Sequence, residues 1–177
     1  MKNTKIIAAF PACGKTYYFK NKAENISVLD SDSSKFSWME VIDQEYEMKN
    51  RGKTDYQQRY IKVRNPDFPQ NYINYIKENI GKVDYILVST HEEVRNTLND
   101  AEINFCLVYP KRSLKAEWVG RCFLRGSGEK FCQLIADKWD EWISQLEAED
   151  NDCYVLNHNE YLSDAIQLLY SGVSYSN

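Results

Sequence analysis

Long apolar runs are missing from this 177-residue chain, and the one that follows its basic start extends only from Ile6 to Phe10. A membrane-spanning helix needs about 20 predominantly apolar residues. The run is also too short for the core of a secretory signal peptide. We therefore expect neither a membrane span nor a signal peptide, and we expect the protein to be cytoplasmic.

Patterns of metal ligands and paired thiols are scarce as well. The five cysteines are odd in number and widely spaced, they form no C-x-x-C, and the chain has only two histidines. Such a set does not supply the closely spaced ligands of a structural zinc site. Unpaired thiols are typical of reducing compartments, so a disulfide framework is not expected.

Basic residues, 22 in number, are outnumbered by 26 acidic ones, which leaves a net charge of −4. Proteins that bind extended nucleic acid are usually basic, so this balance disfavours such a partner. The chain is 43% hydrophobic and 27% charged, as expected for a folded protein rather than a disordered one. Its length suits one sizeable core, and no repeat or low-complexity linker divides it, so we predict a single domain over residues 1–177.

Short apolar segments alternate with helical patterns along the chain. The predicted strands are 5–10, 26–29, 83–89, 103–109 and 152–156. The predicted helices are 14–22, 90–98, a long one containing Phe131 to Leu146, and 160–170. Because several strands are apolar throughout, we predict an α/β fold of three layers, with helices on both faces of a parallel sheet.

The least regular part is the segment 38–81, which Gly52, Pro66 and Pro69 interrupt. We interpret it as a substrate-binding insertion after the second strand, made of two helices joined by a tyrosine-rich connection. Its start, from Ser37 to Glu40, has the form of a capping box, in which a serine caps a helix and a glutamate follows three residues later. A second such pattern, from Thr90 to Glu93, predicts the start of the helix after the third strand.

The strongest chemical signal is the segment from Ala9 to Thr16, which follows the first strand and leads into a helix. It matches the phosphate-loop pattern G-x-x-x-x-G-K-[ST] with alanine in place of the first glycine. In such a loop, backbone N–H groups and a helix N-terminus surround phosphate, a lysine reaches the β- and γ-phosphates, and a hydroxyl holds Mg²⁺. We expect Gly14 to be required because a Cβ would crowd the phosphate or the turn. The predicted contacts to ATP are Ala9, Pro11, Ala12, Cys13, Gly14, Lys15, Thr16 and Tyr17, with Thr16 on the metal.

Two further features make the chain resemble the P-loop nucleoside and nucleotide kinase superfamily, including small kinase-like proteins of bacteria and phages. One is the acidic segment from Leu29 to Asp32 after the second strand, and the other runs from Tyr109 through Arg121 and Arg125. The resemblance implies a P-loop fold whose five parallel strands lie in the order 2-3-1-4-5. It also implies a lid over ATP at 110–127 and phosphorylation of a nucleoside or nucleotide.

Two aspartates and one arginine are the candidate substrate-binding residues. Asp30 and Asp32 follow a parallel strand, where the ligand crevice of such a sheet lies. A carboxylate there can orient an attacking hydroxyl or take its proton, so Asp32 is also a catalytic candidate. Either aspartate is equally suited to cap the turn that follows. Arg95, on the helix after the third strand, is positioned to reach a phosphate or to remain solvated.

The remaining catalytic candidates are cations. Arg121 and Arg125 are four residues apart, so they share a helix face and, with Lys15, can stabilise charge on a transferring phosphoryl group. An ion pair with Glu117, four residues before Arg121, is the alternative for that arginine. Arg112 is expected to contact ATP.

The third strand ends without the aspartate that many P-loop proteins place beside Mg²⁺, so Ser89 or an aspartate after the second strand is the expected substitute. This absence favours an alternative function, a nucleotide-binding regulatory ATPase without transfer. Another alternative is a polynucleotide 5′-hydroxyl kinase, for which Asp32 suits a base but the acidic balance does not. For a nucleotide acceptor, the insertion supplies Arg51, Lys53, Arg59, Lys62 and Arg64.

Overall fold

The computed structural model describes residues 1–170, so the last seven residues of the predicted domain lie outside the described part. The strands are β1 Lys5–Ala9, β2 Val28–Asp30, β3 Trp38–Ile42, β4 Tyr60–Arg64, β5 Tyr85–Ser89, β6 Cys106–Pro110 and β7 Cys153–Leu156. The helices are α1 Lys15–Asn21, α2 Ser34–Ser37, α3 Gln44–Asn50, α4 Gln70–Asn79, α5 Glu92–Asp100, α6 Lys115–Leu124, α7 Glu129–Glu147 and α8 Leu162–Tyr170. A short 3₁₀ turn, Arg112–Leu114, precedes α6.

Five strands form one parallel sheet in the order β2-β5-β1-β6-β7, which confirms the predicted α/β class and parallel sheet. The strand numbers differ from the expected 2-3-1-4-5 because the insertion contains two strands, β3 and β4, that the sequence did not predict. Counted among themselves, the five parallel strands lie in the order second, third, first, fourth, fifth. Strand β1 is central, so the segment that follows it starts at the middle of the sheet's carboxyl edge.

Both faces of the central strand are covered. Successive residues of a strand point to opposite faces of the sheet. Ile6 and Ile7 are nevertheless 5% and 0% exposed, and the next two residues are fully buried. A strand that is apolar throughout therefore packs on both sides, as the sequence pattern predicted. Trp118 of α6 and Trp139 of α7 are among the largest fully buried side chains.

The start of the insertion is a strand and not the predicted helix. Helix α2 ends at Ser37, and Trp38 begins β3, which pairs antiparallel with β4 over five residues. Trp38, Val41 and Ile42 are residues that favour strands, and cross-strand pairing outweighs the local capping pattern. The two predicted helices of the segment are present as α3, which lies between β3 and β4 in the chain, and α4, which follows β4.

Helix α5 is present, but the predicted capping box does not form. The helix starts at Glu92, and His91 is the N-cap residue without a side-chain capping bond. Thr90 is buried, and its carbonyl oxygen accepts a hydrogen bond from Arg95. Among the described helices, none is both long enough and apolar enough to cross a membrane.

Candidate active site

The segment between β1 and α1 turns sharply at two residues. Ala12 and Gly14 have φ angles of 62° and 97°, in the left-handed region that side chains disfavour. A Cβ placed on Gly14 would lie 3.6 Å from the ring of Tyr161, an ordinary van der Waals contact. The backbone conformation, rather than crowding by neighbouring protein atoms, therefore accounts for the glycine.

Three successive backbone donors of this loop have no partner among the described residues. Within residues 1–170, the N–H groups of Gly14, Lys15 and Thr16 donate no hydrogen bond, whereas the N–H of Cys13 donates to Phe10 at 3.3 Å. Unpaired N–H groups clustered in a tight turn form a concave site for an anion. Phosphate binding by this loop stays a prediction, for which these N–H groups would be the donors.

The ammonium group of Lys15 is held against the loop. Its Nζ donates to the carbonyl oxygens of Ala9 and Phe10 at the end of β1. Burial lowers the pKa of Lys15, while nearby Cys13 and Asp30 raise it. Because an ammonium group has three donors, these two bonds leave one for a phosphate oxygen.

The metal candidate Thr16 is joined to Asp30, which the sequence assigned to the substrate and also, as an aspartate after the second strand, to the set of possible metal contacts. Thr16 Oγ1 donates to Asp30 Oδ2 at 2.8 Å. Strand register places Asp30 beside Leu87, and alternate residues share a face, so Ser89 lies on the face of Asp30. Ser89 Oγ is buried and has no hydrogen-bond partner among the described residues.

These oxygens fit a magnesium ion better than a metal with a full protein cage. Mg²⁺ usually takes one or two carboxylates, substrate phosphates and several waters. The carboxylate of Asp30 and the hydroxyl groups of Thr16 and Ser89 are the few protein oxygens that such a site uses. No cluster of three or more His, Cys, Asp or Glu side chains suited to a metal occurs in the described part of the chain.

A cavity of about 1030 Å³ opens beside the loop, which is ample for a nucleotide. The end of α6 and the turn before α8 form its other walls. Of the predicted site residues, it brings together Ala12, Gly14, Lys15, Thr16, Tyr17, Arg121 and Arg125. The loop and the two arginines of α6, distant in sequence, therefore face one space.

Arg121 lines this cavity and forms the ion pair with Glu117 that was the alternative for it, while its catalytic role stays a prediction. Its guanidinium lies between the rings of Trp118 and Tyr161, 4.0 Å from each centroid. Its nitrogens donate to Glu117 Oε1 at 2.5 Å and to the carbonyl of Glu160 at 2.8 Å. Arg121 is thus held by α6 and by the turn before α8 together.

Arg125 is exposed at the end of α6, and its Nε donates to Ser127 Oγ at 2.7 Å. The predicted lid, 110–127, is the 3₁₀ turn and α6, and it is anchored to the loop. Trp118 is fully buried, and its Nε1 donates to the carbonyl of Pro11 at 2.8 Å. This contact fixes where the arginines of α6 stand relative to the loop.

Two predicted arginines are bound elsewhere. Arg112 donates to Ser144 and Glu147 of α7 and does not line the cavity, so this arrangement does not support its predicted contact with ATP. The reason is that the 3₁₀ turn directs it toward acidic residues of α7. Arg95 is 3% exposed and donates to Thr90 and Glu149, so its guanidinium joins α5 to the end of α7 and is not free for substrate.

Three other predicted contacts have local roles in the loop and in the turn after β2. Asp32 Oδ1 accepts a 2.9 Å hydrogen bond from the N–H of Ser34, which is the capping role considered for it. Ala9 is fully buried, and only its carbonyl reaches Lys15. Burial raises the pKa of the Cys13 thiol to about 12, although Lys15 lowers it, so this side chain stays neutral and packs in the core.

The sequence missed the contribution of the turn before α8. Tyr161 lines the cavity and stacks on Arg121, and the N–H of Leu162 donates to the carbonyl of Cys13 at 2.8 Å. A usable signal was present, because this turn follows the carboxyl end of β7, where ligand crevices of parallel sheets lie.

Comparisons with known proteins add no family assignment: no protein-family model matches the chain, and no curated protein matches its sequence. A function must therefore be inferred from the residues and distances of the site.

Proposed function

We propose that the protein is an ATP-dependent kinase with the P-loop fold, which phosphorylates a small acceptor of the nucleoside or nucleotide class. The observation that carries the proposal is the convergence on one cavity of three loop residues with unpaired N–H groups, the ammonium of Lys15, the hydroxyl of Thr16 with its bond to Asp30, and two arginines. The parallel sheet supports the fold, since the loop leaves the central strand and enters α1.

The loop binds the phosphates of ATP. Its free N–H groups contact phosphate oxygens, and Lys15 adds a charge-assisted bond, which is stronger than a neutral one. Thr16 and Asp30 would hold Mg²⁺, with Ser89 nearby, and the ion would neutralise charge on the phosphate oxygens. Tyr161 and Leu124 supply apolar wall in the same cavity for the rest of the nucleotide.

Transfer forms a bond between an acceptor hydroxyl oxygen and the γ-phosphorus and breaks the bond from that phosphorus to the oxygen bridging to the β-phosphate. The products are ADP and a phosphate ester, and the hydroxyl proton leaves to Asp32 or to water. Such transfer depends mainly on positioning and on charge stabilisation. Arg121 and Arg125 supply that stabilisation at the phosphoryl group.

A regulatory ATPase without transfer is the second candidate. It is favoured by the bond between Asp32 and Ser34, which occupies one oxygen of the candidate base. It is also favoured by the ion pair that holds Arg121 on Glu117. In that case MgATP would bind in the same cavity, and no acceptor would be phosphorylated.

Calorimetry with MgATP tests the nucleotide site. Lys15→Ala removes the side-chain cation on the loop and should weaken binding by about 10–100-fold, the worth of a hydrogen bond to a charged group. Lys20→Ala is the matched control, because Lys20 is exposed on the same helix and does not line the cavity. An affinity of Lys15→Ala within twofold of wild type would refute the site. Labelled γ-phosphate transfer to pooled nucleosides and nucleotides then separates a kinase from an ATPase.

A further inference from the structure

A second cavity, of about 450 Å³, opens at the same loop and shares no lining residue with the first. Its walls include Phe10 and Pro11, whereas the first cavity is lined by residues 12 and 14–17 of the same loop. The start of α5 and one face of α7 complete it. The phosphate loop is therefore the wall that the two cavities share.

Lys15 links the two spaces. It lines the first cavity, and its Nζ bonds the carbonyl of Phe10, which lines the second. The charge of Lys15 also acts on His91, which lines the second cavity. Burial is the main cause that lowers the pKa of His91, Glu93 opposes it, and Lys15 lowers the pKa further. A phosphoryl group held by Lys15 would lie between the cavities. Transfer requires the attacking and leaving oxygens to be roughly in line with the phosphorus, so the acceptor must approach the phosphoryl group from the side away from ADP.

The second cavity has an aromatic and apolar wall. Phe10 and Trp142 meet edge to face with their centroids 6.3 Å apart, and Phe131 and Leu134 lie beside them. Small-molecule sites combine such surfaces with a few polar groups, and aromatic walls suit flat rings.

Both arginines of this cavity are already paired. Arg64 donates to Glu93. Arg95 donates to Glu149 and to the carbonyl of Thr90, and its side chain is 4% exposed. Recognition of a phosphate monoester needs an uncommitted cation. These arginines would have to leave carboxylates to supply one.

Carboxylates outnumber the cations in the same wall. Glu92, Glu93 and Glu141 line it against the two arginines. Glu141 pairs with Lys138 at 2.7 Å, whereas Glu92 makes no hydrogen bond or ion pair with the rest of residues 1–170. A free carboxylate accepts hydrogen bonds from hydroxyl groups and repels a phosphate, so the lining selects against anions.

We propose that this second cavity is the acceptor site and that it takes an uncharged nucleoside rather than a nucleotide. The inference rests on the proposed kinase function. The ring packs on the wall of Phe131 and Trp142, and a sugar hydroxyl donates to Glu92. A second hydroxyl oxygen attacks the γ-phosphorus, ADP departs with the bridging oxygen, and the proton is released to water.

Competing acceptors test the choice of substrate class. The wild-type protein is given MgATP with each common nucleoside and with its 5′-monophosphate, and transfer is followed by labelled phosphate. We expect at least one nucleoside to exceed its monophosphate by about 100-fold or more in kcat/KM, because like charges across a site cost several kcal/mol. A preference for the monophosphates, or phosphorylation of neither group, would overturn the inference.

Two variants test the location. Leu134→Arg fills the second cavity with a bulky cation and should raise the KM for the nucleoside by about tenfold or more, with MgATP affinity unchanged. Leu168→Arg is the matched control, because Leu168 is similarly exposed, at 41% against 43%, and lines neither cavity. Equal effects of the two variants, or no effect of Leu134→Arg, would place the acceptor elsewhere. Melting curves establish that both variants are folded.

A third variant tests the role of charge through a change of substrate preference rather than through a loss of activity. Glu92→Lys replaces the free carboxylate with a cation and should shift the preference toward monophosphates by about tenfold or more. An unchanged preference would overturn the role of Glu92 and the charge argument. MgATP binding, measured without an acceptor, distinguishes failure of the kinase function from failure of the acceptor site. If the wild-type protein does not bind MgATP, the proposed kinase function fails. If MgATP binds and monophosphates are used, only the acceptor inference fails.

Discussion

Replacing Arg121 by alanine separates the two roles that its contacts allow. The side chain is 10% exposed, stacks between two rings at 4.0 Å and pairs with Glu117. Loss of these contacts should lower the free energy of unfolding by about 3–5 kcal/mol, since each of the two cation–π contacts is worth about 1 kcal/mol and the charged hydrogen bond about 1.5–3 kcal/mol.

The catalytic role predicts a separate change. If Arg121 contacts the transferring phosphoryl group, its removal should raise the barrier by about 2–4 kcal/mol, which is about 30–1000-fold in kcat. MgATP affinity should change less, because the contact strengthens in the transition state. Arg125→Ala is the matched comparison: Arg125 is exposed, so its loss should change stability by less than about 0.5 kcal/mol.

Three measurements decide the outcome, namely thermal unfolding, calorimetry with MgATP, and steady-state phosphoryl transfer well below the melting temperature of each variant. A less stable Arg121→Ala protein with wild-type kcat would make Arg121 a packing residue that holds α6 on the turn before α8. Unchanged kcat in both variants would remove the α6 arginines from the mechanism altogether.

Three further predictions concern the carboxylates. Asp30→Asn should raise the Mg²⁺ concentration for half-maximal activity by about tenfold or more, as for other groups that hold a metal, and an unchanged Mg²⁺ titration would count against the Thr16–Asp30 site. Asp32→Asn should keep the cap on Ser34, since asparagine caps as well as aspartate, while lowering transfer by about 10²–10⁴-fold if Asp32 takes the proton. Wild-type transfer would make Asp32 a capping residue only. Burial raises the pKa of Glu117, but its bonds from His158, Asn159 and Arg121 outweigh this, so the pKa lies below its ordinary value of 4.5. A depressed pKa means that the stability from this carboxylate is present above pH 4.5 and is lost as pH falls below it. Glu117→Gln should flatten that acid limb in pH-dependent melting, and an identical acid limb would show that the cluster is not coupled to folding.

Local patterns predicted the elements whose stability comes from their own residues. The five predicted apolar runs correspond to the five parallel strands. Strands that are buried on both faces are apolar at every position, so they can be recognised without knowing which strand pairs with which. The loop from Ala9 to Thr16 could also be predicted from the sequence, since its glycine, lysine and threonine form a motif of fixed local spacing. The capping pattern at Ser37 failed because β4, about 25 residues away, offers β3 a full set of cross-strand bonds.

The sequence by itself determined the α/β class and the parallel sheet, through the period of its apolar residues, and it predicted a phosphate loop from the spacing of one motif. Only the tertiary structure decided which charges are free. Asp30 of β2 bonds to Thr16 of α1, and the bond from Trp118 to Pro11 places Arg121 beside the loop. Arg112 is paired with a carboxylate of α7, and Arg95 with one just after that helix. Partners that lie far apart in the chain determine whether a charged side chain is available to a ligand, and no local pattern encodes them.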